Sequence, residues 1–239
     1  MSHPNKKRLR RSMMFLNAQK PSLIKDPYLY GADSLMLDLE DAVAVTAKDT
    51  ARFSLYQALK NVDYRGCERV VRINGLDTEY WKEDIRCCIA GGADVLRIPK
   101  TEDAKMVKAV EDAVLAAERE FERPEGSTLL MAALESAKGV MNAYEVCTSS
   151  ERMIGIALSG GDYTKDLQTK ITGTGVELMG ARQQMIIAAR AAGVQGHGAG
   201  AIVFGNEQGG QRVRADIRRI HGWTLRGAGR VTVRGGGIA

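Results

Sequence analysis

Short apolar runs alternate with longer amphipathic stretches from residue 12 to about residue 192. The runs have the length and the aliphatic content of buried strands, and the stretches between them repeat apolar residues three and four positions apart. This alternation is typical of βα units around a parallel sheet. The pattern predicts strands at 12–16, 34–39, 69–73, 94–98, 128–134 and 153–158, and helices at 47–60, 78–90, 102–121, 137–147 and 176–192.

Charged residues follow the predicted strands at regular intervals. Glu40, Arg72, Lys100, Glu135 and Asp162 are separated by 32, 28, 35 and 27 residues, about one βα unit each time. In a barrel or a doubly wound sheet, the carboxyl ends of parallel strands meet at one face, where active sites of such proteins lie. We therefore expect these five side chains to converge.

Glu135 and Asp162 are the candidate metal ligands. Either residue alone could favour the start of a helix or cap a loop. Two acids on consecutive strand ends, close to small residues that leave space, instead provide the few oxygen ligands typical of a Mg2+ site that keeps waters for substrate.

Arg72 lies inside an apolar strand, where a guanidinium is costly to bury without an anion. It could pair with Asp38 or Glu40, which share one strand face, or bind a substrate carboxylate or thioester oxygen. Asp38 and Glu40 are expected to order Arg72 or metal-bound waters. Lys100 could form a Schiff base with a carbonyl substrate, but an electrostatic substrate contact is favoured.

Composition and charge exclude several classes of protein. The chain has 239 residues and a formal net charge of +5. Residues 196–239 hold seven arginines against two acids, so the preceding part is neutral and lacks a general reason to bind nucleic acid. We found no apolar run long enough for a membrane span or a signal peptide, and four cysteines without metal spacing are expected to be reduced. We expect a cytoplasmic protein.

The sequence changes in character after Gln195. Twelve of the last 44 residues are glycine, and apolar runs become short. We therefore divide the chain into a β/α body at 1–195 and an atypical segment at 196–239, which is either disordered or replaces the last barrel units. If those units were missing, the edges of the first and sixth strands would be exposed.

Several segments, in order from about residue 8 to residue 194, resemble the citrate lyase beta subunit and its wider aldolase family. They are RSMMF at 11–15, GAD at 31–33, LDLEDAV at 37–43, VVRIN at 70–74, LRIPK at 96–100, ALESAKGV at 133–140 and GDY at 161–163. The segment NAQKP at 17–21 departs from the family, which has a Pro-Gly turn there.

The resemblance implies a TIM-type (β/α) barrel, Mg2+ on Glu135 and Asp162, and substrate contacts from Arg72 and Glu135. It also implies cleavage of a citryl thioester, carried by an acyl carrier protein or coenzyme A, to oxaloacetate and an acetyl thioester. The implied partners are further copies of the chain and the other citrate lyase subunits.

Two other functions remain open. The same metal pair and arginine would serve a malyl-type coenzyme A thioester lyase or a hydroxy-ketoacid aldolase. A subunit of a lyase complex with a truncated site would be non-catalytic. The general base is also open, with Asp38, Glu40 and a metal-ordered water as candidates.

Overall fold

Eight parallel strands form one sheet in the computed structural model, which describes residue 6, residues 8–197 and residues 202–204, with residue 197 and residues 202–204 described by backbone alone. The strands are β1 (Met13–Asn17), β2 (Ser34–Asp38), β3 (Glu68–Arg72), β4 (Val95–Ile98), β5 (Leu129–Leu134), β6 (Met153–Leu158), β7 (Gln195–His197) and β8 (Ile202–Phe204). Their order is β7-β6-β5-β4-β3-β2-β1-β8. The expected α/β, TIM-type barrel fold is confirmed.

Helices connect the strands and cover the outside of the sheet. They are α1 (Pro21–Ile24), α2 (Lys48–Asn61), α3 (Trp81–Gly91), α4 (Ala104–Glu120), α5 (Ala137–Met141), α6 (Ala143–Thr148), α7 (Gly160–Asp166) and α8 (Met179–Ala191), with short 3-10 helices at Pro27–Tyr30, Val45–Ala47 and Val176–Leu178. Asp103 caps α4, its side chain accepting a hydrogen bond from the Met106 amide.

Strand alternation divides the apolar residues into an outer and an inner core. Leu35, Leu37 and Leu39 of the second strand region pack outward against the helices. Met36 points inward and joins a smaller cluster to which six consecutive strands contribute. Its buried members are Met13, Met36, Val70, Val95, Leu129, Met131 and Ile154. Side chains from six neighbouring strands can share one cluster only because the sheet curls around them.

Two predicted features need correction. The helix predicted at 137–147 is two helices that meet at Asn142, whose side chain donates a hydrogen bond to the carbonyl of Glu102. The edges of the first and sixth strands are not exposed, because β8 pairs with β1 and β7 pairs with β6. Gly155 permits the second pairing, since a Cβ there would lie 2.6 Å from the carbonyl oxygen of Gln195.

The segment predicted to be atypical, 196–239, is therefore partly described. Two residues of β7 and all of β8 belong to it, and both strands extend the parallel sheet. The remainder, residues 198–201 and 205–239, lies outside the described residues. The division of the chain at residue 195 stays a prediction. Among the described helices, none combines the length and apolar character that a membrane crossing requires.

Candidate active site

The charged side chains that were predicted to converge lie at the carboxyl end of the sheet. Ion pairs join Arg72 to Glu40 and Glu40 to Lys100, and the charges of Glu40 and Asp162 both act on Glu135. The cluster, which we call the carboxyl-end cluster, consists of Asp38, Glu40, Arg72, Arg97, Lys100, Glu135 and Asp162.

Arg72 is held by two acids from the neighbouring strand β2. Its Nε and Nη2 atoms donate to the two carboxylate oxygens of Asp38 at 2.7 and 2.6 Å. Its Nη1 atom lies 2.8 Å from Glu40 Oε2. The sequence left two alternatives for Arg72, pairing with these acids or binding a substrate. The structure contains the pairing. The guanidinium has five N–H groups, so two remain for a ligand.

Asp38 is saturated by its surroundings. Besides Arg72, it accepts hydrogen bonds from the backbone amides of Glu40 and Ala42 at 3.0 and 3.3 Å. Asp38 therefore fixes the turn after β2 and the orientation of Arg72.

Glu40 is buried but less tightly satisfied. Its contacts with Arg72 and with Lys100, at 2.8 and 3.2 Å, are ion pairs whose angles depart from those of regular hydrogen bonds. Burial raises the pKa of its carboxyl group, and the Arg72 charge partly opposes that rise. Lys48, buried beneath it, donates to the carbonyls of Leu39 and Glu40 at 2.7 Å each and so fixes the backbone that carries this carboxyl.

Lys100 has half of its side chain exposed and contacts Glu40. Burial lowers the pKa of the lysine, but the charge of the Glu40 carboxylate 3.2 Å away outweighs that effect, so the pKa is raised. A Schiff-base lysine needs a lowered pKa, so this environment favours the electrostatic role. Its backbone has φ +47°, a left-handed conformation that is uncommon outside glycine and is found at functional sites.

Glu135 directly follows β5 and is only 4% exposed, yet neither carboxylate oxygen has a hydrogen-bond partner in the described part of the chain. Burial first, and then the Glu40 and Asp162 charges, raise its pKa to about 7. The Lys100 backbone amide and the Arg97 charge lower the pKa of Glu135, but neither group forms a hydrogen bond of regular geometry with the carboxylate. An ionised carboxylate in this position requires a cation.

Asp162 lies in the first turn of α7, and not in the loop that the sequence suggested. Its side chain accepts hydrogen bonds from Ser159 Oγ at 3.0 Å and Lys165 Nζ at 2.8 Å, and the lysine lowers its pKa. The carboxylate is partly exposed and ionised. It lies close enough to Glu135 for the two charges to repel each other.

These two carboxylates form a donor set that suits Mg2+. The ion commonly takes one or two protein carboxylates and keeps waters or substrate oxygens in its other positions. No group of three acidic, histidine or cysteine side chains with metal-binding geometry occurs among residues 6, 8–197 and 202–204. The partnerless oxygens of Glu135 are the observation that fits a cation here.

Arg97 was not singled out by the sequence analysis. It lies in β4 beside Arg72, is 3% exposed, and its Nε and Nη1 atoms have no hydrogen-bond partner within the described chain. Burial first, and then the neighbouring Arg72 charge, lower its pKa to about 10. The signal that drew attention to Arg72, a guanidinium inside an apolar strand, is equally present in the sequence Val95-Leu96-Arg97-Ile98.

Comparisons with known proteins identify relatives along most of the chain. The sequence model of the HpcH/HpaI aldolase/citrate lyase family matches residues 11–228. The family match extends beyond residue 194, which is the end of the region that the sequence motifs showed to resemble the family.

Two curated relatives are citrate lyase beta subunits. That of Leuconostoc mesenteroides subsp. cremoris is 52% identical over 190 residues, which cover 80% of this chain and 63% of that protein. That of Escherichia coli strain K12 is 42% identical over 215 residues, which cover 90% of this chain and 71% of that protein. The chain thus spans less than two thirds of the Leuconostoc relative's length.

A solved structure has the same fold. The citrate lyase beta subunit from Mycobacterium tuberculosis, complexed with oxaloacetate and magnesium, superposes with a TM-score of 0.67 over 90% of this chain and 99% of that one. Sequence identity is 20%. At that level the likeness concerns the fold.

Proposed function

This chain belongs to the HpcH/HpaI aldolase/citrate lyase family, and we propose that it is a Mg2+-dependent carbon–carbon lyase that cleaves a citryl thioester to oxaloacetate and an acetyl thioester. The observation that carries the proposal is Glu135, a buried carboxylate that has no hydrogen-bond partner among the described residues and lies near Asp162 and a cluster of cationic side chains. Beta subunits of citrate lyase are the curated relatives that support the choice of substrate.

Glu135 and Asp162 would hold the metal ion. When bound, Mg2+ supplies Lewis-acid chemistry, lowering the proton affinity of the substrate hydroxyl and orienting the adjacent carboxylate. Asp162 is kept ionised by Lys165 and needs no proton removed before it binds a cation. Glu135 must lose its proton near neutral pH, and the arriving cation favours that loss.

The reaction breaks the bond between the carbinol carbon and the methylene carbon next to the thioester. The hydroxyl proton leaves to a base, the carbinol becomes the ketone of oxaloacetate, and the bonding electrons pass to the thioester as an enolate. The enolate takes up a proton to give the acetyl thioester. Arg72, whose position is fixed by Asp38 and Glu40, directs its two remaining N–H groups to the charge that develops there.

Glu40 is the better base of the two acids that the sequence offered. Asp38 accepts four hydrogen bonds, which leave its oxygens little room to accept a fifth from a substrate hydroxyl. Glu40 has a raised pKa and contacts without regular hydrogen-bond geometry, so its oxygens retain proton affinity. The substrate carrier, whether an acyl carrier protein or coenzyme A, and assembly with other citrate lyase subunits in the cytoplasm belong to the proposal as well.

The test is an assay of oxaloacetate released from a citryl thioester, with and without a chelator. We expect activity that the chelator removes and Mg2+ restores, and that is lost in Glu135→Ala. Glu145→Gln, an exposed acid in α6, is the matched control and should keep full activity. Full activity of Glu135→Ala would overturn the site. Cleavage of malyl-type thioesters without cleavage of a citryl thioester would support the second candidate function, a malyl-type thioester lyase. Binding of Mg2+ without cleavage of either thioester would support a non-catalytic subunit.

A further inference from the structure

Arg97 differs from the other buried arginines of the sheet. Arg10 donates to Glu68 from its Nε atom at 2.6 Å, and Arg152 donates to Glu118 at 2.9 and 2.6 Å. Arg97 is as deeply buried as either, yet two of its nitrogens have no partner in the described part of the chain.

The neighbours of Arg97 increase the free-energy cost of burying its charge without an anion. Arg72 pairs with it across the β3–β4 ladder, so two guanidinium groups lie side by side in the barrel interior. Both lie near the ring of Phe15, with Cζ-to-centroid distances of 5.5 Å for Arg97 and 5.8 Å for Arg72. Two acids already offset the charge of Arg72. A buried cation next to another cation, with open donors, has the properties of an anion-binding subsite.

Glu135 does not complete an ion pair with Arg97. A formed pair would give the carboxylate oxygens a guanidinium donor within hydrogen-bond distance. The two side chains are near enough to influence each other, but each still lacks a hydrogen-bond partner within the described residues. Each is therefore available to a different part of a ligand.

We propose that Arg97 binds the carboxymethyl carboxylate of the citryl group and selects citryl over malyl thioesters. This inference rests on the proposed function. A citryl thioester carries two free carboxylates, one on the carbinol carbon and one on a methylene arm. A metal held by Glu135 and Asp162 would engage the hydroxyl and the first carboxylate. The second carboxylate, which a malyl thioester lacks, needs a cation within reach of that metal. Arg97 is adjacent and has open donors, whereas the remaining donors of Arg72 are assigned to the enolate.

Malate and lactate are the probes that isolate this contact. Malate carries the hydroxyl, the adjacent carboxylate and the carboxymethyl arm of the citryl group, while lactate has a methyl group in place of the arm. Calorimetric titration in Mg2+ should show that the protein binds malate more tightly than lactate. Arg97→Met should weaken malate binding roughly 10- to 100-fold, the range for hydrogen bonds to a charged group. Lactate binding should be unchanged.

Two further variants separate ligand binding from folding. Arg97→Lys keeps the charge but loses the paired donors, so its malate affinity should lie between those of the wild type and Arg97→Met. Arg97→Met should unfold in urea at the same or a higher concentration than the wild type, because it removes an unpaired buried charge. Arg152→Met, which leaves Glu118 unpaired, should unfold at a clearly lower concentration.

Catalysis gives an independent readout. Arg97→Met should lower kcat/KM for the citryl thioester and leave kcat/KM for a malyl thioester unchanged or higher. Equal malate and lactate binding by the wild type, or equal losses for both acids in Arg97→Met, would overturn the role of Arg97 and leave the proposed function standing. Failure of both acids to bind in Mg2+ would overturn both.

Discussion

Glu135→Gln should stabilise the metal-free protein above neutral pH while abolishing Mg2+ binding. Glu135 is 4% exposed, and burial and nearby acids raise its pKa from 4.5 to about 7. One pKa unit corresponds to about 1.4 kcal/mol, so keeping this carboxylate ionised in the folded protein costs about 3 kcal/mol. Glutamine has nearly the shape of the protonated acid and carries no charge, so it avoids that cost.

The sign of the pH dependence follows from the direction of the shift. Because the folded protein holds this proton more tightly than the unfolded chain, the wild type is penalised as pH rises from 4.5 through about 7. The free energy of unfolding of the variant should match that of the wild type near about pH 4, below both pKa values. At about pH 8 it should exceed the wild-type value by up to about 3 kcal/mol.

Urea unfolding in a chelator, at both pH values, measures the difference. Glu145→Gln in α6 controls for the loss of one acidic charge and should show no pH-dependent gain. Adding Mg2+ at about pH 8 should then raise the unfolding midpoint of the wild type and not that of Glu135→Gln, because a ligand stabilises only the state that binds it. A variant less stable than the wild type at about pH 8, or a difference independent of pH, would refute the reasoning.

Three other outcomes are expected. Arg72→Met should lower the free energy of unfolding by about 3–5 kcal/mol in urea unfolding, because it leaves Asp38 and Glu40 buried without their shared cation. A loss under about 1 kcal/mol would contradict the pairing of Arg72 with these acids. Borohydride with oxaloacetate should leave Lys100 unmodified in peptide mass analysis, since its pKa is raised and not lowered. Cys147, whose pKa burial raises to about 12, should resist iodoacetamide in the folded chain at about pH 8, and rapid labelling there would contradict that burial.

Most of the strands and helices could be predicted because the apolar runs are short and almost uniformly buried. The sixth strand, Met153–Leu158, has the predicted bounds. Each of the other five strands begins and ends within one residue of its predicted bounds. The break between α5 and α6 was missed because it depends on Asn142 bonding to the Glu102 carbonyl of another loop. The pattern of apolar positions is nearly continuous across that break and contains no sign of a tertiary contact.

The strands β7 and β8 were missed for a different reason. Each has three residues, and Gln195–His197 is not apolar at all. Their pairing depends on the edges that β6 and β1 offer and on space such as that left by Gly155. Tertiary context decides such strands, and local sequence carries little of that information.

The site could be located from the sequence, but the partnerships within it could not. Spacing along the chain placed Arg72 and Glu135 at one end of the barrel. It could not show that the donors of Arg72 are directed to Asp38 and Glu40. Nor could it show that the Glu135 carboxylate has no hydrogen-bond partner among the residues that the structure describes. Whether a buried charge is compensated depends on side-chain directions across neighbouring strands, which a one-dimensional pattern does not contain.

Buried charges are usually paired, but within the part of the chain that the structure describes, both Glu135 oxygens and two Arg97 nitrogens lack a hydrogen-bond partner. If stability alone decided these positions, the two would pair or apolar residues would replace both. Each instead keeps a shifted pKa whose cost the folded protein carries. Such costs persist where a ligand offsets them, which is why uncompensated buried charges mark functional sites. A cation at Glu135 and a carboxylate at Arg97 would satisfy both groups, and a hydroxy acid chelated to Mg2+ supplies the two together.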